Sequence, residues 1–206
     1  PAARLVRESL VPERDEAPSG LLRMTAPNDF GAIVLPPILG AFSRRHPGVR
    51  FDVRLGAAHV DLVKEGYDLA LRVAAGPLED STLMSRRVGR STAAFYAAPA
   101  YLARRGRPRS VGDPRHTWVL HPGVVRLFKL DLADMQPIQY FVDDFLLARE
   151  LLRDGAGIGV LPSFVARAFV REGLLEEVAL AEGVEMPGDL VMLYPSSGQV
   201  PKKVAA

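Results

Sequence analysis

Few residues in this chain are of a type and spacing that could do covalent chemistry. The four histidines are His46, His59, His116 and His121. None lies in an HExxH pattern or in a close pair with metal-ligand spacing, so no metal site is expected. His46 precedes Pro47 at a predicted helix end, where a charged imidazole would favour the C-terminal dipole. His121 follows a short apolar run and precedes Pro122–Gly123, so it reads either as a ligand contact or as a structural loop residue. The adjacent acids Asp143 and Asp144 could share proton-transfer work, or they could cap a helix by accepting its free N–H groups. No GxSxG nucleophile elbow and no GxxxxGK[ST] phosphate loop occurs. The run GAGIG at 155–159 superficially suggests a dinucleotide loop, but it follows a helical pattern and enters an apolar one. A dinucleotide fingerprint has the opposite order, so the run reads as a helix cap and a tight turn. The absence of cysteine excludes disulfides, thiol nucleophiles and thiolate metal sites. No catalytic set assembles and no cofactor is implied, so the expectation is a binding protein and not an enzyme.

Binding needs elements to position it. LLRMTA at 21–26 is a short apolar run closed by Pro27, as a buried strand is. Asn28 or Asp29 then opens a helical pattern carried by Ile33, Leu35, Ile38, Leu39 and Phe42. Pro36–Pro37 predicts a kink or a restart within it. VRFDVRL at 49–55 alternates with period two, residues 58–66 read as a short helix closed by Gly66, and 67–73 as a third strand. Strand, helix and strand in alternation predict a parallel sheet flanked by helices.

Residues 74–87 read as a loop, 89–99 as a long extended stretch, and AYLARRG as a short helix. A strand is expected at 116–120 and another at 138–142, while 121–136 has weak periodicity and no assigned element. DDFLLARELLRDG is acidic at its start, carries Leu146, Leu147, Leu151 and Leu152, and ends in glycine, the pattern of an amphipathic helix. A buried strand at 157–162, a helix capped by Ser163, strands at 174–180 and 189–194, and the opening of a helix at the C-terminus complete the reading. The expected architecture is α/β, with two Rossmann-like lobes. One crossover strand near 95–98 leads out and another at 190–194 leads back.

In open α/β sheets ligands sit beyond the carboxyl ends of strands. Here those loops hold residues 26–30, 55–59 and 72–76 in the first unit, and 120–123 and 141–145 in the second. Arg72, at a strand end, could grip a carboxylate with two parallel hydrogen bonds, or it could pair internally with Asp68 or Asp29.

Bulk properties agree with an ordinary globular domain: 206 residues, 48% hydrophobic and 24% charged. No apolar run approaches the roughly 20 residues that a bilayer span needs. The first twenty residues lack the apolar core of a signal peptide, and the lack of cysteine suits a reducing cytoplasm. Net charge is +2, too balanced for nucleic-acid binding over the whole surface. Local basic clusters occur at Arg44–Arg45, at Arg86, Arg87 and Arg90, and at Arg104, Arg105, Arg107 and Arg109; they read as solvated helix ends and loops.

The stretch GLLRMTAPNDFGAIVLPPILGAFSRRHPGVRFDVRL, followed by VDLVKEGYDLALRV, resembles the opening of the effector-binding domain of LysR-type transcriptional regulators. LEDSTLMSRRVGRSTAAFYAAPAYLARRG is similar to that family's next block, and ARELLRDGAGIGVLPSFVAR to a late one. The resemblance runs from about residue 20 to the C-terminus. It implies the fold of type 2 periplasmic binding proteins, with lobe I at 20–95 plus 195–206 and lobe II at 96–194. Residues 1–19 resemble the end of a linker helix, so a DNA-binding winged helix-turn-helix is expected to lie outside this chain. The resemblance further implies a small effector between the lobes, promoter DNA as partner of the missing N-terminal domain, a homodimer or homotetramer, no membrane and a cytoplasmic site of action. The family's effector site falls on Pro27, Asn28, Asp29 and Phe30, then Gly56 and Ala57, then Arg72 and Val73, and across the cleft on His121, Pro122, Asp143 and Phe145. Many members place Ser or Thr at the first helix start and after the second strand. Here those positions read Pro-Asn-Asp and Gly-Ala-Ala, and two acids in the cleft disfavour a simple anion unless Arg72 or His121 offsets them, so a neutral, aromatic or cationic effector is the expectation. The competing reading is a free-standing solute-binding protein of the same fold.

Overall fold

The structure is a computed structural model that describes residues 17–56, 60–74, 83–128, 131–133, 138–180, 186–196 and 202–205. The first unit holds strand β1 (Gly20–Ala26), helices α1 (Asn28–Ile33) and α2 (Leu35–Arg45), and strands β2 (Val49–Leu55) and β3 (Leu69–Ala74). Strand β4 (Leu83–Ala97) leaves it for helix α3 (Pro99–Arg105), β5 (Trp118–Leu120), α4 (Pro122–Phe128), β6 (Ile138–Phe141), α5 (Phe145–Arg153), β7 (Ile158–Pro162), α6 (Ser163–Arg171) and β8 (Glu176–Glu177). Strand β9 (Met186–Pro195) returns to the first unit, where α7 (Lys202–Ala205) follows.

The described strands form one continuous sheet in the order β2-β1-β3-β9-β4-β7-β5-β6, with β8 beside β4. β1 is parallel to both β2 and β3, and β5 is parallel to both β6 and β7. Between these two parallel lobes lie β9 and β4, paired antiparallel from Leu83↔Pro195 to Ala93↔Met186. The two expected crossover strands are therefore one ribbon: β9 also pairs with β3, and β4 with β7.

Local sequence explains the elements. The apolar run of β1 buries Leu22, Met24 and Ala26. The helical pattern after it breaks at Val34 and restarts at once, with its prolines in the first turn of α2, where backbone N–H groups have no helical partner to lose. Asp144 caps α5 by accepting from Leu147 N at 2.9 Å, and Gly155 closes that helix at φ +77. Gly157 and Gly159 serve a different need. A Cβ at Gly157 would sit 2.3 Å from the Thr117 carbonyl oxygen, and one at Gly159 2.7 Å from that of Val119. Only glycine lets β7 and β5 approach this closely.

Each lobe has its own core. Leu22, Met24, Phe30, Leu35, Leu69 and Leu71 fill the first. In the second, alternation along β4 sends Phe95 and Ala97 to one face with Trp118 and Ile158, and Tyr96 to the other with Leu152, Leu161 and Val165. Both faces are covered, as a parallel sheet requires.

Four expectations differ from what forms. Residues 62–66 make a single turn closed by Gly66 at φ +69, not a helix; Leu62 is buried but Val63 is largely exposed, so a further turn would bury little. Of the expected loop at 74–87, residues 75–82 lie outside the described residues, Ala74 ends β3 and 83–87 belong to β4; the outer part of β4 is solvated on both sides of the ribbon, so it lacks the period-two signal of a half-buried strand. Ser163 does not cap α6, being its first residue with its hydroxyl 2.8 Å from that of Thr92. Strand 174–180 shrinks to β8. The weakly periodic stretch after His121 contains α4. Residues 1–16 of the expected linker lie outside the described residues.

Leu152 is fully buried and Leu147, on the same helix, is half exposed. Leu152→Ala is expected to cost about 2–5 kcal/mol in urea unfolding, and Leu147→Ala well under that.

Candidate functional site

The carboxyl ends of β1, β5 and β6 point to the seam between the lobes, and each leads into a helix there. Pro27 ends the turn after β1; its carbonyl accepts Gly31 N at 2.8 Å and its side chain makes no cap. Asn28, the first residue of α1, donates its amide to Asp144 Oδ2 at 3.1 Å. These residues belong to different lobes, so the bond joins the starts of α1 and α5 across the seam.

Asp29 follows and is buried. Burial holds its carboxyl above the usual carboxylate range, and the charge on Asp144 pushes the same way; N–H groups of Phe30 and Asp29 and the His121 ring oppose both. For Asp144, burial pushes upward too, but the Leu147 N–H, the Asn28 amide and the Leu146 N–H outweigh it, so this acid sits below its ordinary value. The two carboxylates thus differ: one is well supplied with donors, the other is under strain to stay charged. Both stand at helix starts, where they offset the positive ends of the helix dipoles.

His121 stacks on Phe145 with ring centroids 4.1 Å apart and an interplanar angle of 8°. Its Nδ1 accepts from Gly123 N at 3.0 Å, so its Nε2 carries the hydrogen and donates to the Asp143 carbonyl at 3.1 Å. Protonation would set a new N–H against the Gly123 N–H, and burial already pushes the imidazole below its ordinary pKa. At neutral pH the ring is uncharged and presents an aromatic stack, not a cation. Asp143 contributes through its backbone carbonyl, while its side chain is exposed. Pro122 opens α4 directly after.

On the first lobe, Arg72 of β3 donates from Nη1 to the Leu71 carbonyl at 2.8 Å and from Nη2 to Thr25 Oγ1 at 3.3 Å. Burial lowers its pKa, with Tyr67 opposing. Asp68, one of its candidate ion partners, is instead taken by Lys203 Nζ at 2.8 Å and by Arg23 N at 2.8 Å. Val73 is half exposed. Gly56, held by its N–H to the Ala26 carbonyl at 2.9 Å, has open space where a Cβ would be. Phe30 is buried in the first core and makes an edge contact across the lobes with Phe164 of α6 at 6.0 Å. Ala57 lies outside the described residues.

The structure therefore brings Asn28, Asp29, His121, Asp143 and Phe145 together, and sets Arg72 beside Thr25. Three residues matter more than the sequence alone suggested. Thr25 is a buried hydroxyl inside the apolar run of β1, and that oddity was its signal. Asp144, read as a cap, also reaches across the lobes. Phe164 had no signal beyond helical spacing. Among the described residues no group of three or more His, Cys, Asp or Glu could hold a metal ion.

The sequence model of the LysR substrate binding domain matches residues 15–206. The chain belongs to this family. A HTH-type transcriptional regulator of Haemophilus influenzae is 31% identical to this LysR domain over 207 residues, covering 96% of this chain and 70% of that protein. The HTH-type transcriptional regulator PtxR of Pseudomonas aeruginosa is 32% identical over 201 residues, covering 92% of this chain and 62% of its own length. Among solved structures, the regulatory domain of CrgA, a LysR-type transcriptional regulator from Neisseria meningitidis, superposes with a TM-score of 0.75 at 26% identity, covering 87% of this chain and 90% of that one. The LysR domain thus shares the type 2 periplasmic-binding-protein fold, and the relatives named here regulate transcription.

Two outcomes follow from the acids. Asp29 has a folded pKa above its unfolded value, so it favours the folded state fully below about pH 4 and loses that contribution as pH rises through the folded value. Asp29→Asn is therefore expected to be more stable than the parent at pH 7, with the difference vanishing on acidification in urea melts. Asp144→Ala removes the cap and the inter-lobe bond and is expected to cost about 0.5–2 kcal/mol, most of it recovered in Asp144→Asn.

Proposed function

We propose that this chain is the ligand sensor of a DNA-binding transcriptional regulator, taking a small effector between its lobes and acting by binding rather than catalysis. The observation that carries this is the Asn28–Asp144 bond, a polar contact between helix starts of the two lobes. A ligand that replaces or completes it binds open and closed arrangements unequally, which is the requirement for shifting their populations. Lobe I is taken as 20–95 with 195–206, and lobe II as 96–194. The effector site comprises Pro27, Asn28, Asp29, Phe30, Gly56, Ala57, Arg72, Val73, His121, Pro122, Asp143 and Phe145, joined by Thr25 and Asp144.

The electrostatics favour a neutral or cationic effector with an aromatic part. Asp29 and Asp144 already offset the helix dipoles, and His121 brings no positive charge. In the whole protein, promoter DNA would be bound through a winged helix-turn-helix outside this chain, with homodimers or homotetramers transmitting the change in the cytoplasm. The named relatives are regulators, which supports this reading over a solute receptor. No helix among the described residues is long and apolar enough to cross a membrane.

A thermal-shift panel of benzylamine, benzamide and benzoate, extended to amino acids and dicarboxylates, tests this. A ligand at ~100 times its Kd stabilises the native state by roughly 2.7 kcal/mol. The expected result is stabilisation by amines or neutral aromatics that is lost in Asn28→Ala and Phe145→Ala. Stabilisation that survives both variants places the ligand elsewhere, and no stabilisation across the panel removes the small-effector reading.

A further inference from the structure

At the amino end of β5, away from the seam, lobe II buries a histidine that the effector site does not use. His116 is 1% exposed, and among the described residues neither of its ring nitrogens has a hydrogen-bond partner. Most buried polar side-chain atoms have one, so an unpaired buried imidazole calls for a reason.

The ring belongs to residues 106–117, the loop that joins α3 to β5. This loop is tied down around it. The Asp113 carboxylate accepts from Arg109 N at 3.0 Å, from Arg115 N at 3.1 Å, and from Arg115 Nε and Nη2 at 2.9 and 2.5 Å. The Asp113 carbonyl accepts from the Trp118 indole at 3.2 Å and from His116 N at 3.1 Å. Thr117 N donates to the Tyr101 hydroxyl at 2.8 Å, which fixes the loop to α3. The Tyr101 ring lies beside the imidazole, with centroids 5.9 Å apart.

Neutral, the imidazole packs here as a flat ring. Charged, it finds little support. The neighbouring acid, Asp113, already takes four donors, and Arg115 and the Arg109 N–H keep it ionised far into the acid range. The other charges facing the ring are cations, Arg115 on the loop and Arg105 on α3. The Arg107 guanidinium is taken by Glu176 of β8 at 2.7 Å. Burial outweighs the attraction of Asp113 and of the Arg107 backbone, and it holds the imidazole below its ordinary pKa.

We propose that His116 makes this loop an acid-released clasp on lobe II: a proton taken up by the ring drives it into water and frees residues 106–117 from α3 and from the start of β5. The closed clasp keeps the ring neutral. Its contribution is therefore complete above the unfolded value of about 6.5, and it is lost as pH falls from there towards the folded value. Opening takes up one proton, so the opening equilibrium rises by at most about tenfold per pH unit. The clasp does not depend on the effector reading, since the seam lies at the other end of β5.

Amide hydrogen exchange of the full chain at pH 7.5, 6.5 and 5.5, corrected for intrinsic exchange rates, tests the proposal. Protection across 106–117 is expected to fall by about twofold at most between pH 7.5 and 6.5, and by about fivefold between 6.5 and 5.5. His116→Phe and His116→Gln carry no titrating ring, so protection there should no longer depend on pH. An NMR titration of the parent protein should find the His116 ring still neutral at pH 6.5. The proposal is overturned by unchanged protection at pH 5.5, by a pH response that persists in either variant, or by a His116 ring already half charged at pH 6.5. It is equally overturned by a loss of protection spread evenly over α4 and α5, which reports His121 or global unfolding. If neither variant folds, the parent's exchange pattern and ring titration still decide.

Discussion

The pairing of β4 with β9 is the constraint on which the molecule depends. Each lobe is a parallel unit that cannot complete its sheet alone: β3 needs β9 on its open edge, and β7 needs β4. The ribbon supplies both edges and joins the lobes through backbone hydrogen bonds rather than through a loose linker. It also fixes which strand ends face each other, so the starts of α1, α4 and α5 converge on one seam. The bulge between Arg87 and Gly89 leaves Val88 outside the ladder, and such bulges raise the local twist of a strand pair.

Convergence of helix starts creates an electrostatic demand, and two acids meet it unequally. Asp144 is surrounded by donors and serves as a cap. Asp29 gets less help and is more deeply buried. His121 spends both ring nitrogens on backbone groups and is left as a flat neutral surface on Phe145. The seam is thus polar without being cationic, apart from Arg72, whose guanidinium is oriented by Thr25 and a backbone carbonyl.

Much of this was legible in the residues. The apolar run of β1, the alternation of β2 and the amphipathic pattern of α5 each state their element directly, because one periodicity dominates each. The convergence of Asn28, His121 and Asp143 followed from the rule that loops at strand ends gather in an open sheet. What the residues concealed has a common physical cause. The outer half of β4 is held by partner backbone and not by a buried face, so it carries no pattern. The turn at 62–66 borrows its apolar residue from a helical spacing that it never completes. Whether a histidine is charged depends on which groups meet its nitrogens, and the Gly123 N–H and the Asp143 carbonyl come into place only in three dimensions. Phe30, next to the seam in sequence, is buried in the first core, where it meets Phe164 of the other lobe.

The return of β9 has a consequence for how the chain is made. β3 ends at Ala74, and the strand that covers its open edge begins at Met186. During synthesis at roughly 5–20 residues per second, that edge waits on the order of ten seconds for its partner. Throughout that interval β3 shows unpaired backbone groups and an apolar face, the features that template strand addition between chains. Contacts of such long sequence separation also slow folding itself. The early lobe is therefore a client for whatever shields nascent chains, and its most vulnerable moment comes before the second lobe has finished folding.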